Sequence, residues 1–136
     1  MLYSLNRWEN KDKILNLANQ YRFIIADRYT SSNLAYGATR GVDQEWLSQL
    51  DKGLPTADLV IVLDTPIPSS FARKTTGRDI HERDRRFLSR VRRNYRTLAR
   101  RNRWTVIDGS RPVETVRSEI WKTVQKKFKV DSKRPT

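Results

Sequence analysis

The segment from residue 27 to residue 37 combines side chains that would suit a phosphorylated small molecule. It reads DRYTSSNLAYG, so an acid and a fixed cation are followed by hydroxyls, an amide and an aromatic ring. The Arg28 guanidinium can grip phosphate oxygens as a fork, Asp27 can hold a magnesium-bound water, and Tyr36 can stack on a ring. The same residues also fit an Asp–Arg surface pair followed by an ordinary helix start. The spacing alone leaves these two interpretations open.

A second concentration of charge lies between Phe71 and Arg103, which holds twelve Arg and one Lys against three acidic residues. It contributes much of the formal net charge of +13. Because a field of this sign attracts polyanions, the partners it favours are nucleic acid, a membrane surface or nucleotide phosphates. Most of these arginines could equally form a solvated helix face. The sharper alternatives are a nucleic-acid footprint and a phosphate clamp built from a few of them.

Three short apolar runs, each ending in Asp, would position these residues. They span residues 23–27, 59–64 and 105–108. Continuous β-branched runs predict strands buried on both faces of a parallel sheet. Apolar residues recur at helical spacing over residues 8–20, 85–101 and 113–128. Strands that alternate with helices indicate an α/β layer fold with right-handed crossovers.

The three runs end at Asp27, Asp64 and Asp108. In open α/β sheets ligands bind beyond the carboxyl ends of the strands. A single Asp in such a place means little, since Asp is also a common cap and loop residue. Three together favour a site at one edge of the sheet.

Composition limits the remaining classes of protein. A chain of 136 residues suffices for one modest core, and we expect one domain over residues 1–128 and a polar tail over residues 129–136. The lack of Cys excludes disulfides and thiolate metal sites and fits a cytoplasmic protein. A single His, His81, argues against a His-based metal cluster or Ser-His-Asp catalysis. No apolar run reaches about 18 residues, so we expect no membrane span.

Four segments together resemble the thymidylate kinase family. Residues 27–36 resemble its signature DR(Y/H)-x-x-S-x-x-A-(Y/F), and residues 2–9, LYSLNRWE, are similar to its LFSANRWE segment. Residues 53–60, GLPTADLV, resemble its GLPxPDLV segment, and residues 106–113, VIDGSRPV, resemble VIDASRPV. Any one match is weak, but the four occur in the family's order and at its spacings. They cover the chain from residue 1 to about residue 128.

The resemblance implies a fold and an activity. The fold is a P-loop nucleoside monophosphate kinase-like, three-layer α/β architecture with a parallel sheet. The activity is the Mg²⁺-dependent transfer of the γ-phosphate of ATP to dTMP, giving dTDP. The partners implied are therefore the nucleotides dTMP and ATP, with Mg²⁺ as cofactor.

The resemblance also assigns the acceptor side residue by residue. Tyr3 matches an aromatic residue that stacks on thymine, and Arg7 matches an arginine that donates to O4 of the base. Arg28 matches the arginine on the acceptor phosphate, and Asp27 the acid that reaches the metal through water. Three further residues match positions that line the monophosphate pocket: Ser32, Asn33 and Tyr36. Of these, the tyrosine would crowd the 2′ position of the sugar and so favour deoxyribose.

On the donor side, Arg73 matches a lid arginine that packs over the adenine of ATP, and Ser110 and Arg111 match the loop beside that adenine. Arg78 lies in the same Arg-rich lid and could reach the transferring phosphate. Phosphoryl transfer needs positioning and charge neutralisation, which such a lid would supply. The residues expected to act in catalysis are therefore Asp27, Arg28 and Arg78.

One family motif has no counterpart. The sequence contains no G-x-x-x-x-G-K-[ST] loop, which holds donor phosphates at a helix N-terminus. In the family this loop precedes the Arg7 segment, so we expect a chain that lacks the first strand, the loop and the first helix and is inactive alone. A partial gene model, a degraded gene and a split enzyme with a separate N-terminal fragment all fit, and a homodimer is a further expectation. The rival class is a non-catalytic, basic nucleic-acid-binding module, which would not explain the Asp-Arg-Tyr segment.

Overall fold

The structure is a computed structural model that describes residues 2–67 and 84–130. It divides into two compact units, Met1–Asp58 and Leu59–Thr136. Among the described residues, no helix is both long enough and apolar enough to cross a membrane.

The first unit is built from four helices: α1 (Leu2–Glu9), α2 (Lys11–Gln20), α3 (Thr30–Thr39) and α4 (Gln44–Leu50). The sequence predicted one helix over residues 8–20, whereas the structure has two helices that meet at Asn10. The Asn10 side chain donates to the Asn6 carbonyl at 2.8 Å. Because such side-chain bonds to the backbone compete with helical geometry, they favour helix boundaries over helix interiors.

The core of the first unit is small and lies where α3 meets α4. Ala35, Leu47 and Leu54 are buried there. Gly37 of α3 is also buried, and its lack of a side chain allows Leu47 to approach the α3 backbone. The Asp43 carboxylate begins α4 by accepting a hydrogen bond from the Trp46 N–H at 2.7 Å, which is the usual arrangement of an N-cap.

The predicted strand over residues 23–27 is not formed. This segment is irregular, and its apolar side chains are exposed, with Ile25 95% exposed. A strand exists only through its ladder of hydrogen bonds, and within residues 2–67 and 84–130 no segment pairs with this one. Asp27 therefore does not lie at a strand end. It precedes Arg28, whose φ of 61° is in the left-handed region.

The second unit contains β1 (Ile61–Asp64), α5 (Arg85–Asn102), β2 (Thr105–Asp108) and α6 (Val113–Phe128). The two strands are parallel, and their register pairs Ile61 with Thr105 and Asp64 with Asp108. These residues confirm the predicted α/β class, the parallel pairing and two of the three predicted strands. They also confirm the predicted helices over 85–101 and 113–128.

Helix α5 packs its apolar stripe on the two strands. The buried side chains of the stripe and of the sheet beneath it are Phe87, Val91, Leu98, Ala99 and Ile107. The Asp84 carboxylate caps the start of α5 by accepting from the backbone N–H groups of Arg86 and Phe87. Arg103 ends the helix in the left-handed conformation, with φ of 56°.

Candidate functional site

The first unit holds Arg7 in a paired, nearly buried position. Its Nη2 atom lies 2.9 Å from both carboxylate oxygens of Asp51, and its Nε lies 3.3 Å from Oδ1. The two side chains are only 11% and 7% exposed. An Arg–carboxylate fork of this kind fixes orientation as well as distance. Arg7 is therefore presented by α1 in one orientation, set by a residue that follows α4.

Ser4 and Asn33 complete this cluster. The buried Ser4 hydroxyl accepts from Arg7 Nη2 at 2.9 Å and from Asn33 Nδ2 at 3.3 Å. Asn33 Nδ2 also donates to Asp51 Oδ2 at 3.2 Å. The structure thus brings together two residues that the sequence singled out, Arg7 on α1 and Asn33 on α3. We name Ser4, Arg7, Asn33 and Asp51 the Asp51 cluster.

Asp51 was missed by the sequence analysis. It lies 44 residues from Arg7 along the chain, and no local pattern marks it as a partner. The one sequence signal for Asp51 is its position two residues before Gly53, the first residue of the segment GLPTADLV. An acid at that point could have been sought as the counter-charge of a helical arginine, since a buried charge needs a partner.

Tyr29 lies beside the Asp51 cluster. Burial raises the pKa of the Tyr29 phenol, the Arg7 cation opposes that rise, and the Asp51 carboxylate adds to it. The Tyr29 hydroxyl is buried and has no hydrogen-bond partner in the described part of the chain. This polar atom is therefore costly in the folded state.

Arg28 and Tyr36 form a second pair in this unit. The Arg28 guanidinium carbon lies 5.4 Å from the centroid of the Tyr36 ring, which is the range of a cation–π contact. Arg28 itself is exposed and adopts the left-handed conformation, which is strained for a residue other than Gly. A fixed cation is therefore held over an aromatic ring by a strained backbone.

The other predicted acceptor residues differ in their surroundings. Asp27 is exposed, and the Tyr3 ring is 78% exposed on α1. Ser32 lies half-buried in the first turn of α3, where its N–H donates to the Tyr29 carbonyl at 3.1 Å.

In the second unit the carboxyl ends of β1 and β2 place Asp64 and Asp108 side by side. Asp64 is already engaged, because Arg92 donates to both of its oxygens and Arg96 lies 3.9 Å away. The hydrogen bonds that Arg92 donates to Asp64 raise the pKa of the Arg92 guanidinium. The sequence predicted three carboxylates at one sheet edge, and the structure places two of them, Asp64 and Asp108, at the ends of paired strands. The charge of Asp64 is neutralised by Arg92.

The loop after β2 is ordered by its own polar groups. The Asp108 carboxylate accepts from the Ser110 N–H at 2.9 Å and from its hydroxyl at 2.6 Å. Arg111 forms a fork with Glu119 of α6, and this hydrogen bonding raises the pKa of the guanidinium. Ser110 and Arg111 therefore lie in one hydrogen-bonded loop, which the family resemblance assigns to the adenine of ATP.

Two predicted residues, Arg73 and Arg78, lie outside the described residues. Within residues 2–67 and 84–130, no three His, Cys, Asp or Glu side chains come close enough to hold a metal ion. Mg²⁺ does not need such a cage in nucleotide sites, because it commonly uses one or two carboxylates, waters and substrate phosphates. The exposed Asp27 suits that kind of contact.

Comparison with known proteins identifies the family. The thymidylate kinase family model matches residues 1–120. The chain is 32% identical over 129 residues to a thymidylate kinase of Dictyostelium discoideum, covering 95% of this chain and 58% of the relative. It is 34% identical over 146 residues to a thymidylate kinase of Thermomicrobium roseum (99% and 70%) and 33% identical over 125 residues to one of Schizosaccharomyces pombe (88% and 59%). The chain thus spans little more than half the length of several relatives it matches, and it belongs to the thymidylate kinase family.

Proposed function

We propose that this chain forms the acceptor-binding part of an enzyme that transfers the γ-phosphate of ATP to dTMP, giving dTDP. The observation that carries the proposal is the Asp51 cluster, which fixes Arg7 and Asn33 next to each other. These two residues come from separate segments that match the family. A pair of oriented polar groups is what recognition of a base edge requires.

The Asp51 cluster suits thymine better than cytosine. Thymine presents an acceptor at O4 and a donor at N3–H, whereas cytosine presents a donor at N4 and an acceptor at N3. Asn33 uses its amide nitrogen on Ser4 and Asp51, because the reverse orientation would turn its oxygen toward a carboxylate. Its oxygen is left to accept from N3–H, and Arg7 can donate to O4. Against cytosine both contacts would face groups of the same kind.

The monophosphate would bind at Arg28. A guanidinium can hold two phosphate oxygens at once, and the Tyr36 ring beneath it limits its movement. Ser32 would line the same pocket from α3, and the exposed Tyr3 ring would stack on the base. Asp27 would reach Mg²⁺ through a water molecule, and the ion would neutralise charge on the phosphates.

The donor side rests on fewer described residues. We assign Ser110 and Arg111 to the adenine of ATP, and Arg73 and Arg78, outside the described residues, to the lid. The 136 residues contain no G-x-x-x-x-G-K-[ST] loop. We therefore expect the 136-residue chain alone to bind dTMP without transferring phosphate. A polypeptide that carries such a loop and its strand, either joined to this chain or separate from it, would complete the sheet of the three-layer architecture and the donor site.

Calorimetric titration of the chain with dTMP and dCMP tests the acceptor role. We expect dTMP to bind at least about tenfold more tightly, because each mismatched polar contact costs more than 1 kcal/mol. Equal affinity for both nucleotides would contradict the proposed base recognition. A coupled assay with ATP, with and without a polypeptide bearing the phosphate loop, tests transfer. Turnover of about 1 s⁻¹ by the 136 residues alone would show that the loop is not needed.

A second candidate function rests on α5, which carries eight Arg and no acidic residue. A helix of this charge could bind nucleic acid through phosphate contacts, and its affinity would then fall steeply with salt. The two functions can be separated by measuring the affinity for a single-stranded oligonucleotide at salt concentrations from about 50 to about 200 mM. The slope of log affinity against log salt then reports the number of phosphate contacts. We expect weak oligonucleotide binding that does not compete with dTMP.

A further inference from the structure

We infer that Asp51 is the positioning residue that sets base selectivity, because it locks Arg7 so that a single nitrogen, Nη1, faces the ligand. This inference rests on the proposed function, since it names the residue that controls the proposed base contact. Asp51 itself would touch neither the base nor the phosphate. Its effect would pass through Arg7 and, more weakly, through Asn33.

The hydrogen-bond donors of Arg7 can be counted. A guanidinium has five N–H hydrogens, one on Nε and two on each Nη. Nε faces Asp51, and Nη2 faces both Asp51 oxygens and the Ser4 hydroxyl. These contacts use three of the five hydrogens. The two on Nη1 meet no acceptor in the described part of the chain. They are the hydrogens that remain for a carbonyl oxygen such as O4.

Asp51 acts on Asn33 in the same way. By accepting from Asn33 Nδ2 at 3.2 Å, it turns the amide oxygen away from itself. One carboxylate therefore sets two groups of opposite kind, a donor on α1 and an acceptor on α3. This combination matches the two adjacent groups of the thymine edge. Without the carboxylate, the Asn33 amide could turn and donate to N3 of cytosine, and Arg7, which can only donate, could move away from the N4 amino group.

The alternative is that the Arg7–Asp51 pair only stabilises the fold. Buried ion pairs are weak contributors to stability, because desolvation offsets much of their attraction. A purely structural pair would change the melting temperature and the affinity for all nucleotides together. A positioning residue changes the ratio of two affinities, and most of that change disappears when Arg7 is absent. These outcomes can be separated by experiment.

The chain offers a matched control. Asp43 is an acid of the same unit, and its carboxylate caps α4 without contacting Arg7. Asp51→Asn and Asp43→Asn therefore remove the same charge by the same isosteric change. Arg7→Ala supplies the background in which Asp51 can position only Asn33. Asp51→Glu keeps the charge and moves the carboxylate outward by one methylene, so it serves if Asp51→Asn does not fold.

The first measurement is the ratio of dissociation constants for dCMP and dTMP. We expect Asp51→Asn to lower this ratio by about tenfold, the effect of one charge-assisted hydrogen bond. Asp43→Asn keeps a side-chain oxygen that can cap α4, and it should leave the ratio within about twofold of the unsubstituted chain. In the Arg7→Ala background, Asp51→Asn should change the ratio far less than in the parent chain, because only the weaker path through Asn33 remains. An unchanged ratio in Asp51→Asn, or in Asp51→Glu where Asp51→Asn does not fold, overturns the inference, as does an equal loss in Asp43→Asn.

The second measurement needs no nucleotide. In NMR spectra of the free chain we expect a distinct, exchange-protected Nε–H signal from Arg7, retained in Asp43→Asn and lost in Asp51→Asn. A chain that binds neither nucleotide would refute the proposed function and the selectivity that depends on it. The positioning of Arg7 would then be decided by the NMR signal alone. An Arg7 Nε–H signal that is unprotected, or unchanged by Asp51→Asn, overturns the positioning of Arg7.

Discussion

Gly37 of α3 lies so close to Leu47 of α4 that a Cβ atom at residue 37 would overlap the leucine side chain. Leu47 is buried, so it cannot move into solvent without opening the core of the first unit. This contact sets the distance between the helix that carries Asn33 and the helix that precedes Asp51.

We therefore expect Gly37→Ala to destabilise the chain by about 1–3 kcal/mol, the usual cost of overpacking. The higher helix propensity of Ala would recover up to about 1 kcal/mol of that loss. Denaturant unfolding measures the change. The control is the same substitution in a Leu47→Ala background, where the overlap is gone. Equal costs in both backgrounds would show that the helices do not meet as described.

The elements that the sequence predicted well are those whose signal is local. Phe87, Val91 and Leu98 recur at helical spacing, and all three are buried on one face of α5. The runs that became β1 and β2 are short and β-branched and pair with each other. For these elements, the periodicity of apolar residues is itself the cause of the structure, because it decides which side is buried.

The features that sequence missed depend on distant partners. The run at residues 23–27 has the composition of a strand, but composition does not supply the neighbouring strand that the ladder needs. Asp51 has no local pattern at all, since its role comes from an arginine 44 residues away. Arg7 and Asn33 were identified through family resemblance, and their adjacency became visible only once α1 and α3 were packed together.

The Arg7–Asp51 pair also affects stability. Arg7→Met would leave the Asp51 carboxylate buried without its counter-charge, and we expect it to cost about 3–5 kcal/mol. Arg7→Met combined with Asp51→Leu should cost less than Arg7→Met alone, because no unpaired charge remains. Arg117→Met is the control, since its partner Glu114 is 81% exposed and such pairs contribute about 0–1 kcal/mol. A double variant less stable than Arg7→Met would contradict this account.

Tyr29 should make stability depend on alkaline pH. Burial raises its pKa above the ordinary value of 10.0, so above pH 10.0 the unfolded chain has lost this proton while the folded chain retains it. The folded state then binds more protons, and the free energy of unfolding falls as pH rises from the unfolded to the folded pKa. Below pH 10.0 Tyr29 is protonated in both states and does not lower the free energy of unfolding. Unfolding curves from pH 7 to pH 11 should show a shallower alkaline fall in Tyr29→Phe than in the parent chain.

The matched control for Tyr29 is Tyr21→Phe, whose ring is 60% exposed. It should leave the alkaline fall unchanged. At pH 7 we expect Tyr29→Phe to be neutral or stabilising by about 1 kcal/mol, because the phenol has no hydrogen-bond partner in the described residues. A large loss of stability at pH 7 would show that the hydroxyl is satisfied in solution.

Arg28 and Arg103 share a left-handed backbone, with φ of 61° and 56°, and differ in their proposed roles. Glycine adopts this conformation without strain, so either residue replaced by Gly should leave stability unchanged or raise it by up to about 1 kcal/mol. Only Arg28→Gly should weaken dTMP binding, by about 2–3 kcal/mol, because it removes the charge-assisted bond to the phosphate. Arg103→Gly, at the end of α5, should bind dTMP as the parent chain does. Calorimetry and thermal melts on both variants measure the two effects. Equal dTMP affinity in the two variants would remove Arg28 from the phosphate site.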